Sequence, residues 1–119
     1  MKKKNIFALG IAFLVFSLTI ISCSKSSDNP VNTGPATTVI DISGMAFSPG
    51  TTTVKVGSIV KWTNSDGMIH TATSDNGTTF NTGNIAAGSS ATYTTTVTGT
   101  FAYHCNIHST MTATLVVIP

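Results

Sequence analysis

The sequence predicts an all-β protein, a Greek-key β-sandwich of seven to eight strands, and three observations lead to that fold class. Short segments rich in Thr, Val and aromatic residues follow one another from about residue 37 onward. Turn signals of Gly, Pro, Asn and Asp separate them, and no segment shows the 3.6-residue apolar period of a helix. Since a single sheet cannot bury so many two-sided strands, two packed sheets are expected.

Residues 1–22 are interpreted as a secretory leader. Lys2, Lys3 and Lys4 precede an apolar run over 6–21, which is shorter than the roughly 20 residues that a membrane-spanning helix needs. The run ends in Ile20-Ile21-Ser22-Cys23, which resembles the lipobox of bacterial lipoproteins, so lipidation of Cys23 and membrane anchoring are expected. The alternative is an ordinary leader cut nearby, with Cys23 discarded or left as a free thiol.

Residues 24–36, "SKSSDNPVNTGPA", contain too few apolar side chains to order themselves and are interpreted, after the lipidated Cys23, as a flexible linker. A single domain then covers 37–119. The leader contains three of the six basic residues, so three lysines remain against four aspartates and the formal net charge becomes −1. Without a basic surface, the mature chain is not expected to bind nucleic acid.

Seven segments are predicted as strands because each is β-branched or aromatic and each is bounded by a turn signal such as Ser48-Pro49-Gly50 or Asn76-Gly77. The predicted strands cover 38–42, 52–56, 58–64, 69–74, 91–97, 100–105 and 113–118. The core is expected to contain Val39, Ile42, Phe47, Val54, Val56, Val60, Trp62, Phe80, Tyr93, Val97, Phe101, Tyr103, Leu115 and Val117.

The stretch "YHCNIHSTM", residues 103–111, places Cys105, His108 and Met111 three residues apart. Alternate residues of a strand share a face, so Cys105 is expected on the interior side with Tyr103, while His104 points the opposite way. His108 and Met111 follow in the loop before the last strand. All three side chains can therefore converge at one end of the sandwich.

The remaining histidine, His70, follows a turn and begins a predicted strand. Two imidazoles, a thiolate and a thioether form the ligand set of a trigonal copper site with a weak axial sulfur. Sulfur ligands suit Cu(I) and imidazole also suits Cu(II), so such a site can exchange single electrons. If Cys23 is lipidated, Cys105 is the only thiol and cannot form an internal disulfide.

The chain from about Thr37 to Pro119 resembles the cupredoxins, the small blue copper proteins that include plastocyanin, pseudoazurin and amicyanin. The resemblance lies in "MAFSPGTTTVKVGSIVKWTN", "IHT" and "GTFAYHCNIHSTM", and the Cys-x-x-His-x-x-Met spacing is similar to the short loop of amicyanin. It departs from the family at Ser109, where proline is frequent, and at Thr112, where glycine is frequent. The metal ligands that this resemblance implies are His70, Cys105, His108 and Met111.

The resemblance further implies one type 1 copper ion and no enzymatic activity. The protein would be a monomeric electron carrier of the periplasm or cell surface, which redox proteins contact transiently near His108. The main alternative is a copper-binding or copper-delivery protein without an electron-carrier role. Zinc in the same ligands and an anchored adhesin with an inert Cys105 are further alternatives. A multicopper oxidase is excluded because three histidines cannot build its cluster and Asn106 replaces a flanking histidine.

Overall fold

The computed structural model describes residues 34–119, which form two four-stranded β-sheets and confirm the predicted β-sandwich. The predicted leader, Cys23 and residues 24–33 of the predicted linker lie outside the described residues. Within 34–119, no helix is long and apolar enough to cross a bilayer. The strands are β1 (Thr37–Ser43), β2 (Ala46–Ser48), β3 (Thr51–Lys55), β4 (Ile59–Asn64), β5 (Thr73–Ser74), β6 (Ser90–Thr94), β7 (Gly99–His104) and β8 (Thr112–Ile118).

The strand order is β2-β1-β4-β6 in the first sheet and β3-β8-β7-β5 in the second. β1 pairs with β4, and β3 with β8, in parallel; the other pairs are antiparallel. Because β1 and β4 run in the same direction, both end at the pole formed by loops 65–72 and 105–111, which we call the upper pole. Residues 56–58, residues 95–98 and the start of β1 lie at the opposite, lower pole.

The core follows the two-residue alternation of the strands. In β4 the buried side chains are Val60, Trp62 and Asn64, and in β8 they alternate in the same way. The Trp62 indole N–H donates to the Tyr103 hydroxyl at 3.3 Å, and the two rings meet edge to face at 5.8 Å between centroids. These two rings fill the space between the sheets directly below the upper pole, because Tyr103 lies two residues before Cys105.

Three residues predicted as core are instead exposed: Val39 (55%), Val56 (41%) and Val97 (57%). Val39 alternates with the buried Ile40 of β1, so it must point outward. Val56 and Val97 lie beyond the ends of β3 and β6, where alternation no longer applies. Tyr93 and Phe101 are only partly buried and pack against the core from its edge.

The predicted strand over 69–74 is reduced to the two residues of β5. His70 makes a single bridge to Ile85 instead of joining a ladder, and Ile85 is a core residue that the sequence analysis did not include. The three-residue strand β2 was not predicted either. Strands this short carry too few alternating side chains to give a periodic signal.

The β1–β2 hairpin turn contains Gly44 and Met45, both at positive φ (59° and 61°), as a type I′ turn requires. Glycine adopts this conformation readily, whereas a residue with a side chain pays roughly 1 kcal/mol. The turn is fixed to the loop after β4, because the carboxylate of Asp66 accepts hydrogen bonds from the N–H of Gly44 (2.7 Å) and of Met45 (3.0 Å).

Candidate metal centre

The loop that carries the first histidine is fixed by one buried amide, that of Asn64 at the end of β4. Its side-chain nitrogen donates to the carbonyl oxygens of Met68 (2.7 Å) and Ile85 (2.9 Å), and its side-chain oxygen accepts the N–H of Asp66 (3.0 Å). All the hydrogens of the amide group are thus used inside the protein. The 65–70 loop therefore has one defined shape that brings His70 to the interior.

The His70 imidazole is completely buried, and its Nε2 lies 2.9 Å from Oδ2 of Asp66. That carboxylate also accepts from Met45 and Gly44, and these N–H groups, with His70, lower the pKa of Asp66 although its partial burial opposes the shift. An ionised carboxylate can only accept, so Nε2 carries the imidazole proton. Nδ1 of His70 then carries the lone pair, which faces Sγ of Cys105 and Nδ1 of His108.

Cys105 directly follows β7 and is a free, completely buried cysteine. Its Sγ accepts a hydrogen bond from the N–H of Thr71 (3.3 Å), and the N–H of Asn106 donates to the Thr71 hydroxyl (2.8 Å). Burial is the largest influence on this thiol and raises its pKa. The N–H groups of Thr71 and His108, the His70 imidazole and the N–H of Ile107 together outweigh burial and lower the pKa from 9.0 to about 6.

Three donor atoms converge at the upper pole: Nδ1 of His70, Sγ of Cys105 and Nδ1 of His108. Sγ lies 3.9 Å from each nitrogen, and the two nitrogens are 3.2 Å apart. A point equidistant from all three atoms lies about 2 Å from each, which is the length of bonds between metals and these ligands. The donor set, two imidazoles and a thiolate in a mostly buried site, can therefore bind one copper ion.

The fourth predicted ligand, Met111, lies in the same loop, and its side chain is only 2% exposed. Its carbonyl accepts the N–H of Cys105 (3.1 Å), and its N–H donates to the carbonyl of His108 (2.9 Å). These two bonds close the 105–111 loop into a compact turn that carries all three predicted ligands of this segment. The axial role of the Met111 thioether remains a prediction.

His104 is separate from the three donors, as its position in the strand predicts. Its Nδ1 bonds to Asp75 and its Nε2 to the Asn106 side chain (2.9 Å). The hydrogen bond to Asp75 raises the pKa of His104 above its ordinary value. With both ring nitrogens occupied, His104 fixes the outer side of β7 against the segment that follows β5.

Three residues that shape the site were missed by the sequence analysis: Asn64, Asp66 and Thr71. Asp66 precedes His70 by four positions, and a carboxylate so close to a candidate ligand is the one signal that sequence offered. Asn64 and Thr71 gave no signal, because the amide of Asn64 joins its own loop to Ile85, 21 residues away, and Thr71 bonds to Cys105, 34 residues away.

Comparison with known proteins places this geometry in a family. The family model described as "Cupredoxin-like domain" matches residues 10–117. No curated protein matches the chain in sequence.

Solved structures with similar folds include a methionine-to-alanine variant of amicyanin with Cu(I), which is 27% identical with a TM-score of 0.62 and covers 67% of this chain and 80% of that one. A proline-to-alanine variant of amicyanin in its oxidized state is 28% identical with a TM-score of 0.63, covering 71% and 83%. A purple cupredoxin from Nitrosopumilus maritimus is 25% identical with a TM-score of 0.61, covering 67% and 98%.

Replacing Asp66 by alanine should weaken copper binding by roughly 10- to 100-fold, because the His70 ring loses the acceptor that orients it. Competition with a chelator of known affinity measures the change. The matched control is Asp75→Ala, which removes a carboxylate from His104, a histidine outside the donor set. Equal effects of the two substitutions would contradict the orienting role of Asp66.

The pKa of Cys105 should make the stability of the metal-free protein depend on pH. The folded thiol titrates at about 6 and the unperturbed thiol at 9.0, so between these values the unfolded state binds one proton more. The free energy of unfolding therefore rises from pH 6 to pH 9, and this gain is lost as the pH falls through the folded value. Urea midpoints measured across that range should rise in the native protein relative to Cys105→Ser. If the urea midpoints of the two proteins changed with pH in parallel, folding would not lower the pKa of the Cys105 thiol.

Proposed function

Because the chain belongs to the cupredoxin-like family, we propose that it is a mononuclear type 1 copper protein that carries single electrons between redox proteins and catalyses no reaction of its own. The observation that carries this proposal is the assembly of two imidazole nitrogens and one thiolate sulfur within 3.9 Å of one another. Copper in this donor set would supply the one-electron step by alternating between Cu(I) and Cu(II).

The donors are held by bonds that do not involve the metal, which supports electron transfer. Asp66 orients His70, the N–H of Thr71 points at the Cys105 sulfur, and the 105–111 loop is closed by its own backbone. Ligands fixed in this way move little when the charge at their centre changes. A small rearrangement favours rapid electron exchange, because little structure has to be rebuilt at each step.

His108 provides the route for the electron in this proposal. His70 and Cys105 are completely buried, whereas His108 is half-buried at the surface of the upper pole. Exposed apolar residues lie next to the donors in sequence: Met68 (51%) and Ile69 (46%) directly before His70, and Ile107 (49%) directly before His108. A small apolar contact around an exposed ligand edge suits the short-lived encounters of redox partners.

A copper-delivery role is the second candidate, and the position of His108 is the observation that favours it. The side of the site formed by the 105–111 loop is covered by few residues, since Asn106, Ile107, Ser109 and Thr110 are all exposed. A metal held behind such a loop can leave when the loop opens. Exchange with chelators and exchange of electrons with small redox proteins distinguish the two roles.

We further propose that the mature chain is exported and held on a membrane by lipid on Cys23, facing the periplasm or the cell surface. β1 begins at the lower pole, where the carbonyl of Ala36 accepts the N–H of Ile59. Strands of six residues separate this pole from the donors, a distance of roughly 20 Å. The first described strand therefore begins at the pole opposite the donors.

The electron-carrier role predicts fast electron self-exchange between the Cu(I) and Cu(II) forms of the full chain, measured by NMR line broadening. Ile107→Asp should slow it by roughly tenfold, because each of two docking copies then carries a new negative charge beside His108. Val97→Asp, an equally exposed apolar position at the lower pole, is the control and should leave the rate unchanged. Slow exchange in a folded, copper-loaded protein that quickly yields copper to a chelator would favour delivery instead.

An axial Met111 predicts that Met111→Leu retains the intense copper–thiolate absorption but raises the reduction potential, since a weak sulfur donor to the oxidised ion is lost. Cyclic voltammetry of the copper-loaded variant measures the shift. If the potential equals that of the native protein, another group supplies the axial contact.

Lipidation predicts that the membrane-extracted protein has the mass of residues 23–119 plus acyl chains. Cys23→Ser should abolish the added mass and release the protein from the membrane fraction. A native protein recovered without acyl chains would overturn this part of the proposal.

A further inference from the structure

Two exposed methionines flank the carboxylate that orients His70. Met45 is 41% exposed and Met68 is 51% exposed, although methionine is an apolar residue that fills cores elsewhere in proteins. The N–H of Met45 donates to Oδ2 of Asp66 at 3.0 Å, and Met68 follows Asp66 by two positions. Both residues are therefore attached to the same small region of the upper pole, although they are 23 positions apart in sequence.

Met45 occupies a position that favours glycine. Its φ of 61° makes it the only non-glycine residue of 34–119 in the left-handed region, and the turn would form with less strain if it had no side chain. Strain of this kind is retained where a side chain has a use that offsets it. Met45 is not part of the buried core, so its use lies at the surface.

We propose that Met45 and Met68 form a second, surface site for Cu(I), which receives the ion before it reaches His70, Cys105 and His108. Thioether sulfur is a soft, uncharged ligand that prefers Cu(I) to harder cations. The carboxylate of Asp66 accepts the N–H of Met45, and Asp66 precedes Met68 by two positions, so its negative charge attracts a cation to this region. The same carboxylate bonds to Nε2 of His70, so the surface site adjoins the buried one.

The transfer role of the surface site rests on the proposed copper function of the buried centre. The two sites differ in their chemistry. Filling the buried centre displaces the proton of any Cys105 that is still a thiol, whereas two thioethers bind a cation without releasing a proton. The surface pair also lacks imidazole, so it has no ligand that favours Cu(II). It is therefore a site for the reduced ion only.

The test is a titration of the metal-free, reduced full chain in detergent with Ag(I), a redox-inert probe for soft monovalent sites. The chain carries Cys23→Ser, so that Cys105 is the only thiol, and its methionine methyl groups are labelled with 13C. Apart from Met1, the chain contains only Met45, Met68 and Met111, so each methyl reports one location. The first equivalent should shift the Met111 methyl, and the second should shift the Met45 and Met68 methyls together until they saturate.

Met45→Leu and Met68→Leu should each weaken the second binding step by more than about tenfold, because a pair of tethered ligands is reduced to one. Both should also slow the filling of the buried centre from a Cu(I)–glutathione complex without changing its final occupancy. Val97→Leu, a change at an exposed apolar residue of the lower pole, is the control and should alter neither. Met45→Gly relieves the strained turn, so a loss of the second step in that variant cannot be assigned to unfolding.

The proposal is overturned if only one of the two surface methyls shifts, if both shift without saturation, or if either leucine variant leaves the second step and the loading rate unchanged. The Met111 methyl is read separately. Its failure to respond to the first equivalent would count against the buried metal centre, while the surface pair is still judged by the Met45 and Met68 signals alone.

Discussion

The metal centre depends on a reciprocal pair of hydrogen bonds between its two loops. The N–H of Thr71 donates to the sulfur of Cys105, and the N–H of Asn106 donates back to the hydroxyl of Thr71. Thr71, which follows His70, thus bonds to Cys105, and Asn106, which follows Cys105, bonds back to Thr71. Because His70 belongs to the 65–72 loop and Cys105 to the 105–111 loop, these bonds set the distance between the imidazole and the thiolate. The sandwich supplies two rigid strands, β4 and β7, that bring the loops to the same pole.

The site is closed on one side and half-open on the other, and this asymmetry supports its proposed use. His70 bonds to Asp66 and bridges to Ile85, and Asn64 at the end of β4 bonds to both of these residues. His108 is carried by a short loop from the second sheet and reaches the surface. A rigid inner half keeps the donor geometry constant, while the outer half gives a partner access to one ligand. An arrangement open on both sides would lose the metal, and one closed on both sides would isolate it.

Much of the fold, and the three donor residues that the structure brings together, were accessible from sequence, because they follow local rules. β-Branched and aromatic content bounded by turn signals identified β4, β7 and β8, and the chemistry of Cys105, His108 and His70 pointed to a metal before any contact was known. Val39 was wrongly assigned to the core on its β-branched side chain. The alternation of β1 buries its neighbour Ile40 and points Val39 outward. Asn64 and Thr71 were missed for a different reason: their roles depend on long-range hydrogen bonds, to Ile85 and to the Cys105–Asn106 segment, and such bonds leave no periodic pattern in a sequence.

The central claim, that the upper pole is a copper–thiolate centre, is tested most directly by the visible absorption spectrum of the full chain titrated with one equivalent of Cu(II). We expect an intense band in the red that saturates at one copper per chain and is absent from Cys105→Ser. A folded protein with a reduced Cys105 and no such band would contradict it. The three donor atoms would then be a buried hydrogen-bonded cluster or a site for a colourless metal such as zinc.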